Sequence, residues 1–256
     1  MGVSKKTHNI GIAGFGKVGK ALKYIIRSSF VYDPPKGMKS TEALEADYLF
    51  LCVPTPSNDD GSCDTSIVEE IISKSKAKIN IVRSTVWVGF TDWAKEKFNK
   101  RIVFMPEYGP SDFPNHPFND LSRIHWAVVG GTPIDTSEVA DLWETLLYNV
   151  KVFQTQARTA ELLKLVENAY FYSKLTFLNE VYDICNIYHI DYDDLRTMLT
   201  EDPRIESDHS FIHEGNRKIS GSCLPKDLNN LIDGVKKYNG QTEYLETIRR
   251  LNERRN

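Results

Sequence analysis

Residues 220 to 227 read SGSCLPKD, which sets a cysteine between small residues on one side and a proline, a lysine and an aspartate on the other. Glycine and proline fix the backbone of a turn, while Lys226 and Asp227 bring charge close to the sulfur of Cys223. A structural cysteine more often has apolar neighbours, so the octapeptide reads as a candidate reactive thiol, with an ordinary surface-loop cysteine as the alternative. A second group of candidates lies in AELLKLVEN. There Glu161, Lys164 and Asn168 are spaced i, i+3 and i+7, which places them on one helix face with Lys164 and Asn168 one turn apart. An ammonium and an amide presented together suit a substrate oxygen, or an oxygen that becomes negative during reaction. A solvated stripe is the commoner case, but Leu162, Leu163, Leu165, Val166, Ala169 and Tyr170 wrap most of this helix in apolar surface.

Phosphate chemistry is written near the start. GIAGFGKVGK carries Gly14, Gly16 and Gly19 in G-x-G-x-x-G spacing, after an expected strand and before an expected helix. In that context the first glycine permits a tight turn, the second lets backbone approach a pyrophosphate and the third lets the helix pack closely on the strand. Asp33 closes the next expected strand, about 20 residues on, where a carboxylate accepts hydrogen bonds from ribose hydroxyls. This order favours NAD over NADP, against the alternative of a glycine-rich turn with an unrelated aspartate. Three later loops follow the carboxyl ends of expected strands, where ligands bind in open α/β sheets. Val53, Pro54, Thr55 and Pro56 give a stiff backbone with one hydroxyl, Ser84 and Thr85 follow the next strand, and MPEYGPSD adds Glu107. Strand-terminal turn residues are the plainer reading of the first two, and a solvated charge is the plainer reading of a lone glutamate.

These residues need elements to hold them. Apolar runs at 9–14, 30–33, 47–54, 78–84, 101–106 and 125–130 predict strands, with amphipathic helices between most of them. The expected architecture is an α/β fold, a Rossmann-like doubly wound parallel sheet, over residues 1–155. From 156 a long stretch without Gly or Pro opens an all-helical region, 156–256. A net charge of −3 gives no bulk electrostatic reason to bind nucleic acid or an anionic membrane, so small molecules are the expected ligands. The N-terminal apolar run is too short for a signal peptide, no stretch approaches a membrane span, and a cytoplasmic protein is expected. Cysteines at 52, 63, 185 and 223 form no CxxC pair, and the six histidines have no metal-ligand spacing, so independent thiols and no metal are expected.

Taken in order, GFGKVG with Asp33, CVPTP, STV, MPE, AELLKLVEN and SGSCLPKD resemble the UDP-glucose/GDP-mannose dehydrogenase family over nearly the whole chain. The resemblance implies an NAD-linked, four-electron oxidation of the C6 alcohol of a nucleotide sugar such as UDP-glucose to a carboxylate. It implies that Cys223 forms a thiohemiacetal and then a thioester. By the same match Lys164 stabilises the oxyanion, Asn168 and Asp227 hold substrate and an ordered water, Glu107 is the base for thioester hydrolysis and Thr85 positions the reacting hydroxyl or water. Gly14, Phe15, Gly16, Lys17, Val18, Gly19, Asp33, Val53, Pro54, Thr55, Pro56, Ser84, Thr85 and Lys226 are implied around the cofactor. Glu107, Tyr108, Lys164, Asn168 and Cys223 are implied around the sugar, with Arg204 reaching the site of a neighbouring subunit in a homodimer.

Departures from the family pattern are specific. PEYGPSD puts Ser111 where a second glutamate is expected, and EGNRKISG before the cysteine has fewer glycines and two added cations, Arg217 and Lys218. The family continues into a further α/β domain that helps bind the nucleotide, whereas this chain ends at Asn256, which gives the expectation of a form lacking that domain. Two other readings stand beside the first. One is a two-electron NAD dehydrogenase of a hydroxyacid with an idle thiol, and the other is a non-catalytic protein that binds NAD or a nucleotide sugar.

Overall fold

The computed structural model describes residues 8–109, 120–221 and 223–255; Ser111 and His116 lie outside the described residues. Eight strands form one sheet in the order β3-β2-β1-β4-β5-β6-β7-β8. They are β1 (Ile10–Ala13), β2 (Phe30–Asp33), β3 (Met38–Lys39), β4 (Tyr48–Leu51), β5 (Ile79–Val82), β6 (Ile102–Phe104), β7 (Trp126–Gly130) and β8 (Lys151–Thr155). β1, β4 and β5 are buried at every residue, which is why IGIA and YLFL read as continuous apolar runs and INIV as one interrupted only by Asn80. Parallel neighbours need crossovers, supplied by α1 (Lys17–Ile25), α2 (Ser66–Lys74), α3 (Phe90–Phe98) and α4 (Pro133–Leu146). Successive side chains of β4 feed opposite faces of the sheet. Phe50 packs with Ile12, Ile81 and Val129, whereas Leu49 and Leu51 pack with Val82, Phe90 and Phe104.

The sheet departs from the fully parallel expectation at two seams, since β3 is antiparallel to β2 and β7 is antiparallel to β6. Apolar periodicity locates a strand but does not encode its direction. β8 was not visible as a strand in the sequence because it forms the sheet edge and most of its residues are exposed or half-buried.

Two compact units are distinguished. One holds the chain up to Pro56 with Cys63–Lys164, and the other holds Ser57–Ser62 with the residues from Leu165 onward. The second unit is helical, with most of α5 (Ala157–Tyr188), then α6 (Tyr192–Leu199), α7 (Leu224–Lys237) and α8 (Glu243–Glu253). The opening turns of α5 belong to the sheet unit. Ala160 lies so close to the end of β7 that a Cβ on Gly130 would sit 2.6 Å from its own Cβ. The Glu161 carboxylate accepts from the backbone N–H of Gly89 and, at 2.8 Å, of Thr91, capping α3, whose own N-cap residue Gly89 has no side chain to do so. Burial raises Glu161 above the usual carboxylate range against the opposing effect of these bonds. The residue that shares a helix face with Lys164 and Asn168 in the sequence is therefore a structural cap.

The amino edge of the sheet is pinned to α4 by charge. Glu138 of α4 accepts from the Tyr48 hydroxyl at 3.0 Å, pairs with Lys78 and receives Arg101 Nη2 at 2.8 Å, while Arg101 Nε donates to Asp135 at 2.6 Å. Burial alone would raise the Glu138 carboxyl, but the bonds from Lys78, Arg101 and Tyr48 outweigh it and hold the group at about 2. Its folded value lies below the unfolded one, so its contribution is present above the ordinary glutamate range and is lost as pH falls from about 4.5 towards 2. Glu138→Gln should lower unfolding free energy by about 2 kcal/mol at neutral pH, and denaturant titrations should show that gap closing across the acid window.

Candidate active site

At the carboxyl end of β1 the chain turns sharply. Gly14 has φ of +91°, and a Cβ there would lie 2.5 Å from the Cys52 carbonyl oxygen, beyond β4. A Cβ on Gly19 would lie 2.0 Å from the Gly14 carbonyl oxygen, so α1 can lie this close to β1 only with glycine at that point. Gly16 differs, because open space surrounds the position of its missing Cβ. It is the N-cap residue of α1 and no side chain caps the helix, which leaves backbone amides at the positive end of the helix dipole to meet an anion. Lys17 opens α1 and Val18 packs on the core. One Asp33 oxygen accepts from Phe15 N at 2.7 Å, tying the loop to the end of β2, and Lys36 Nζ bonds the Phe15 carbonyl at 2.7 Å. This arrangement fits a dinucleotide pyrophosphate over Gly16 and a ribose near Asp33.

Neighbouring strand ends complete the same edge. Ser84 Oγ donates to the Val53 carbonyl at 2.7 Å, fixing the loop after β4 to the end of β5. Thr55 is buried between the exposed prolines 54 and 56. The Thr85 carbonyl accepts from the Cys63 thiol at 3.5 Å. Glu107 follows β6 but is not a solvated charge. Its side chain is 6% exposed and pairs with Arg83, itself 3% exposed, while its other oxygen accepts from the backbone N–H of Tyr108 at 3.0 Å and Gly109 at 3.2 Å. The Arg83 guanidinium carbon lies 5.0 Å from the centre of the Trp143 ring. Sequence reasoning missed Arg83, although a charged residue directly after the apolar run INIV and ahead of Ser84 was the available signal. The Tyr108 and Trp126 rings pack at a tilt with centres 4.3 Å apart, and Lys164 Nζ lies 4.8 Å from the Tyr108 ring centre.

The helical unit carries the thiol. Cys223 is exposed at the N-cap of α7, with proline in the first turn of the helix. The first bond of α7 runs from Asp227 N to the Cys223 carbonyl at 2.9 Å. The Asp227 carboxylate, 1% exposed, is held on both sides, accepting from the Asn168 amide and pairing with Lys226 Nζ. Asn168 is itself 6% exposed, so the side chain aligned with Lys164 on α5 has a defined partner. Lys226, expected near the cofactor, is placed on Asp227. Arg204 is on the surface, bonded to Asp202 at 2.6 Å and 2.9 Å. Arg217 turns towards α5, where it meets Asn179, Asp183 and Tyr182.

Exposure separates the four thiols. Cys63 and Cys185 are buried, and burial beside Glu107 pushes Cys52 up to about 12 although Arg83 acts against it. Only Cys223 is exposed. Among the described residues no group of three or more His, Cys, Asp or Glu is placed to hold a metal ion, and no helix is long and apolar enough to cross a membrane.

Comparison with known proteins matches residues 36–147 to the NAD binding domain of the UDP-glucose/GDP-mannose dehydrogenase family and residues 158–254 to its central domain. The glycine turn precedes the first matched stretch, so its assignment rests on the geometry above. The chain is 26% identical over 228 residues to a UDP-glucose 6-dehydrogenase of Pseudomonas aeruginosa, covering 82% of this chain and 49% of that protein. It is 28% identical over 216 residues to a UDP-glucose 6-dehydrogenase of Campylobacter jejuni, covering 81% and 53%. A solved UDP-glucose dehydrogenase from the archaeon Pyrobaculum islandicum shares the fold at a TM-score of 0.81 and 21% identity, over 98% of this chain and 69% of that one. The chain thus spans about half the length of the curated relatives it matches. With both matched domains in sequence, the chain belongs to the UDP-glucose/GDP-mannose dehydrogenase family.

Proposed function

We propose that the protein oxidises the C6 alcohol of a UDP-sugar, UDP-glucose in the first instance, to the carboxylate, using NAD. The observation that carries this reading is the exposed Cys223 at the amino end of α7, next to a buried Asp227 held between Asn168 and Lys226. A thiol needed only for packing would not sit at an exposed helix start. Gly14, Gly16 and Gly19 would admit the pyrophosphate, Asp33 would take ribose hydroxyls, and the stretch Val53–Pro56 with Ser84 and Thr85 would line the nicotinamide end. Bound there, NAD supplies the acceptor for one hydride in each of two oxidations.

The chain's own residues handle the carbon between those oxidations. Cys223 sulfur adds to the aldehyde carbon while the carbonyl oxygen takes the proton, giving a thiohemiacetal. Loss of the carbon's hydride and the hydroxyl proton leaves a thioester, and water then breaks the carbon–sulfur bond to release the acid and restore the thiol. Lys164 would stabilise the oxygen as it becomes negative, and Asn168 with Asp227 would hold the substrate hydroxyl or the water. Glu107, fixed by Arg83 and two backbone amides, would act as acceptor for that water within the sheet unit. In Cys223→Ser the acid product should fall at least about a thousandfold, because the acyl carrier is gone. Undiminished acid formation by this variant would rule out the covalent route.

A homodimer is part of the proposal. Leu163, Val166, Tyr170, Phe177, Ile184 and Ile187 are exposed along α5 at spacings of three, four and seven residues, a self-complementary apolar seam of coiled-coil type. Arg204 on the surface would reach the neighbouring sugar site. Phe177→Asp should convert the dimer to a monomer by light scattering without loss of helix content; an unchanged mass would exclude this seam.

A further inference from the structure

Among the described residues, the segment between α6 and α7 contains no helix, yet the approach to Cys223 is gripped at two successive points. The first is Arg217. Its Nη2 donates to the Asn179 carbonyl at 2.8 Å, its Nε donates to Asn179 Oδ1 at 3.2 Å, and Asn179 Nδ2 donates back to the Arg217 carbonyl at 3.1 Å. Nη1 pairs with Asp183 at 2.5 Å, and the guanidinium carbon lies 4.7 Å from the centre of the Tyr182 ring. The same Asp183 receives Arg255 Nη1 on its other oxygen at 2.9 Å, and Arg217 and Arg255 together hold its carboxyl below the usual range. The second grip is Asn252 of α8. Its Oδ1 accepts from Ile219 N at 2.6 Å and its Nδ2 donates to the Ile219 carbonyl at 3.0 Å, as a neighbouring strand would.

Asn179 and Asn252 are 1% and 4% exposed, so both anchors are buried amides engaged with the loop backbone. Ser220 and Gly221 are exposed, and Gly221, at φ +97°, has open space around its missing Cβ. Both grips thus act four and six residues ahead of the thiol, at Ile219 and Arg217. A surface loop gains little from two buried clamps unless its far end must be held still, and a reacting atom displaced by about 1 Å can cost two orders of magnitude in rate.

We propose that Arg217 and Asn252 are positioning residues for Cys223, clamping the loop to α5 and α8 so that the thiol is presented at a fixed place on the amino end of α7. The role rests on the oxidation mechanism above, but its test does not need turnover. The rate constant for iodoacetamide alkylation of Cys223 is measured by mass spectrometry in native protein and in urea-unfolded protein. The same measurement is made on native Arg217→Met, Asp183→Asn and Arg217→Lys, each with its melting temperature. Native and unfolded wild type should differ, and Arg217→Met should move at least about threefold from the native rate towards the unfolded one. Asp183→Asn, a milder change at the same anchor, should move part of the way, and Arg217→Lys should return most of it. Equal native and unfolded rates in the wild type, or variant rates that stay native while melting temperature falls, would overturn the positioning role. Where acid formation is observed, Arg217→Met should lower kcat about tenfold and leave KM for NAD unchanged. Absence of turnover in every form would count against the oxidation reading and leave the alkylation result standing.

Discussion

Contact between the β1–α1 turn and the end of β4 is the constraint from which the cofactor edge follows. A Cβ at Gly14 would collide with the Cys52 carbonyl, and a Cβ at Gly19 would collide with the Gly14 carbonyl. Neither backbone has room to retreat, because β1 is paired on both sides and buried throughout. Gly16 between them leaves space that a phosphate could fill, and Asp33 is drawn in because its carboxylate holds the Phe15 amide. Substitution at Gly14 or Gly19 thus disturbs packing, whereas a side chain at Gly16 would enter open space.

Two buried acids show how the molecule commits its charges. Glu107 in the sheet unit is paired with Arg83 and two amides, and Asp227 in the helical unit lies between Asn168 and Lys226. Removing a charge from water is expensive, so an isolated buried carboxylate would not persist in ionised form without such partners. The acids are consequently fixed in orientation, whereas Cys223 is exposed at the N-cap of α7. The nearby Arg217 and Asn252 anchors extend the same economy to the backbone that delivers it.

Much of this was legible in the sequence. The six expected strands all exist, because apolar runs such as IGIA and INIV report burial on both faces of a parallel sheet. The glycine spacing and Asp33 were legible because backbone sterics leave few alternatives. Glu161 was misleading: helical spacing put it on the face of Lys164 and Asn168, but its partners are backbone amides distant in sequence, which periodicity does not register. β8 was silent because an exposed edge strand has no apolar run. Arg217 read only as an added cation in the loop before the cysteine, whereas its contacts are on α5, a tertiary pairing that no local pattern encodes.

The most direct measurement of the central claim is the number of NADH molecules formed per sugar consumed when pure protein meets NAD and UDP-glucose. Two sequential hydride transfers through an acyl-cysteine predict a ratio of about two, with the carboxylate as product. A ratio of about one, with an aldehyde or ketone accumulating, would contradict the account and assign a two-electron dehydrogenase in which Cys223 is idle.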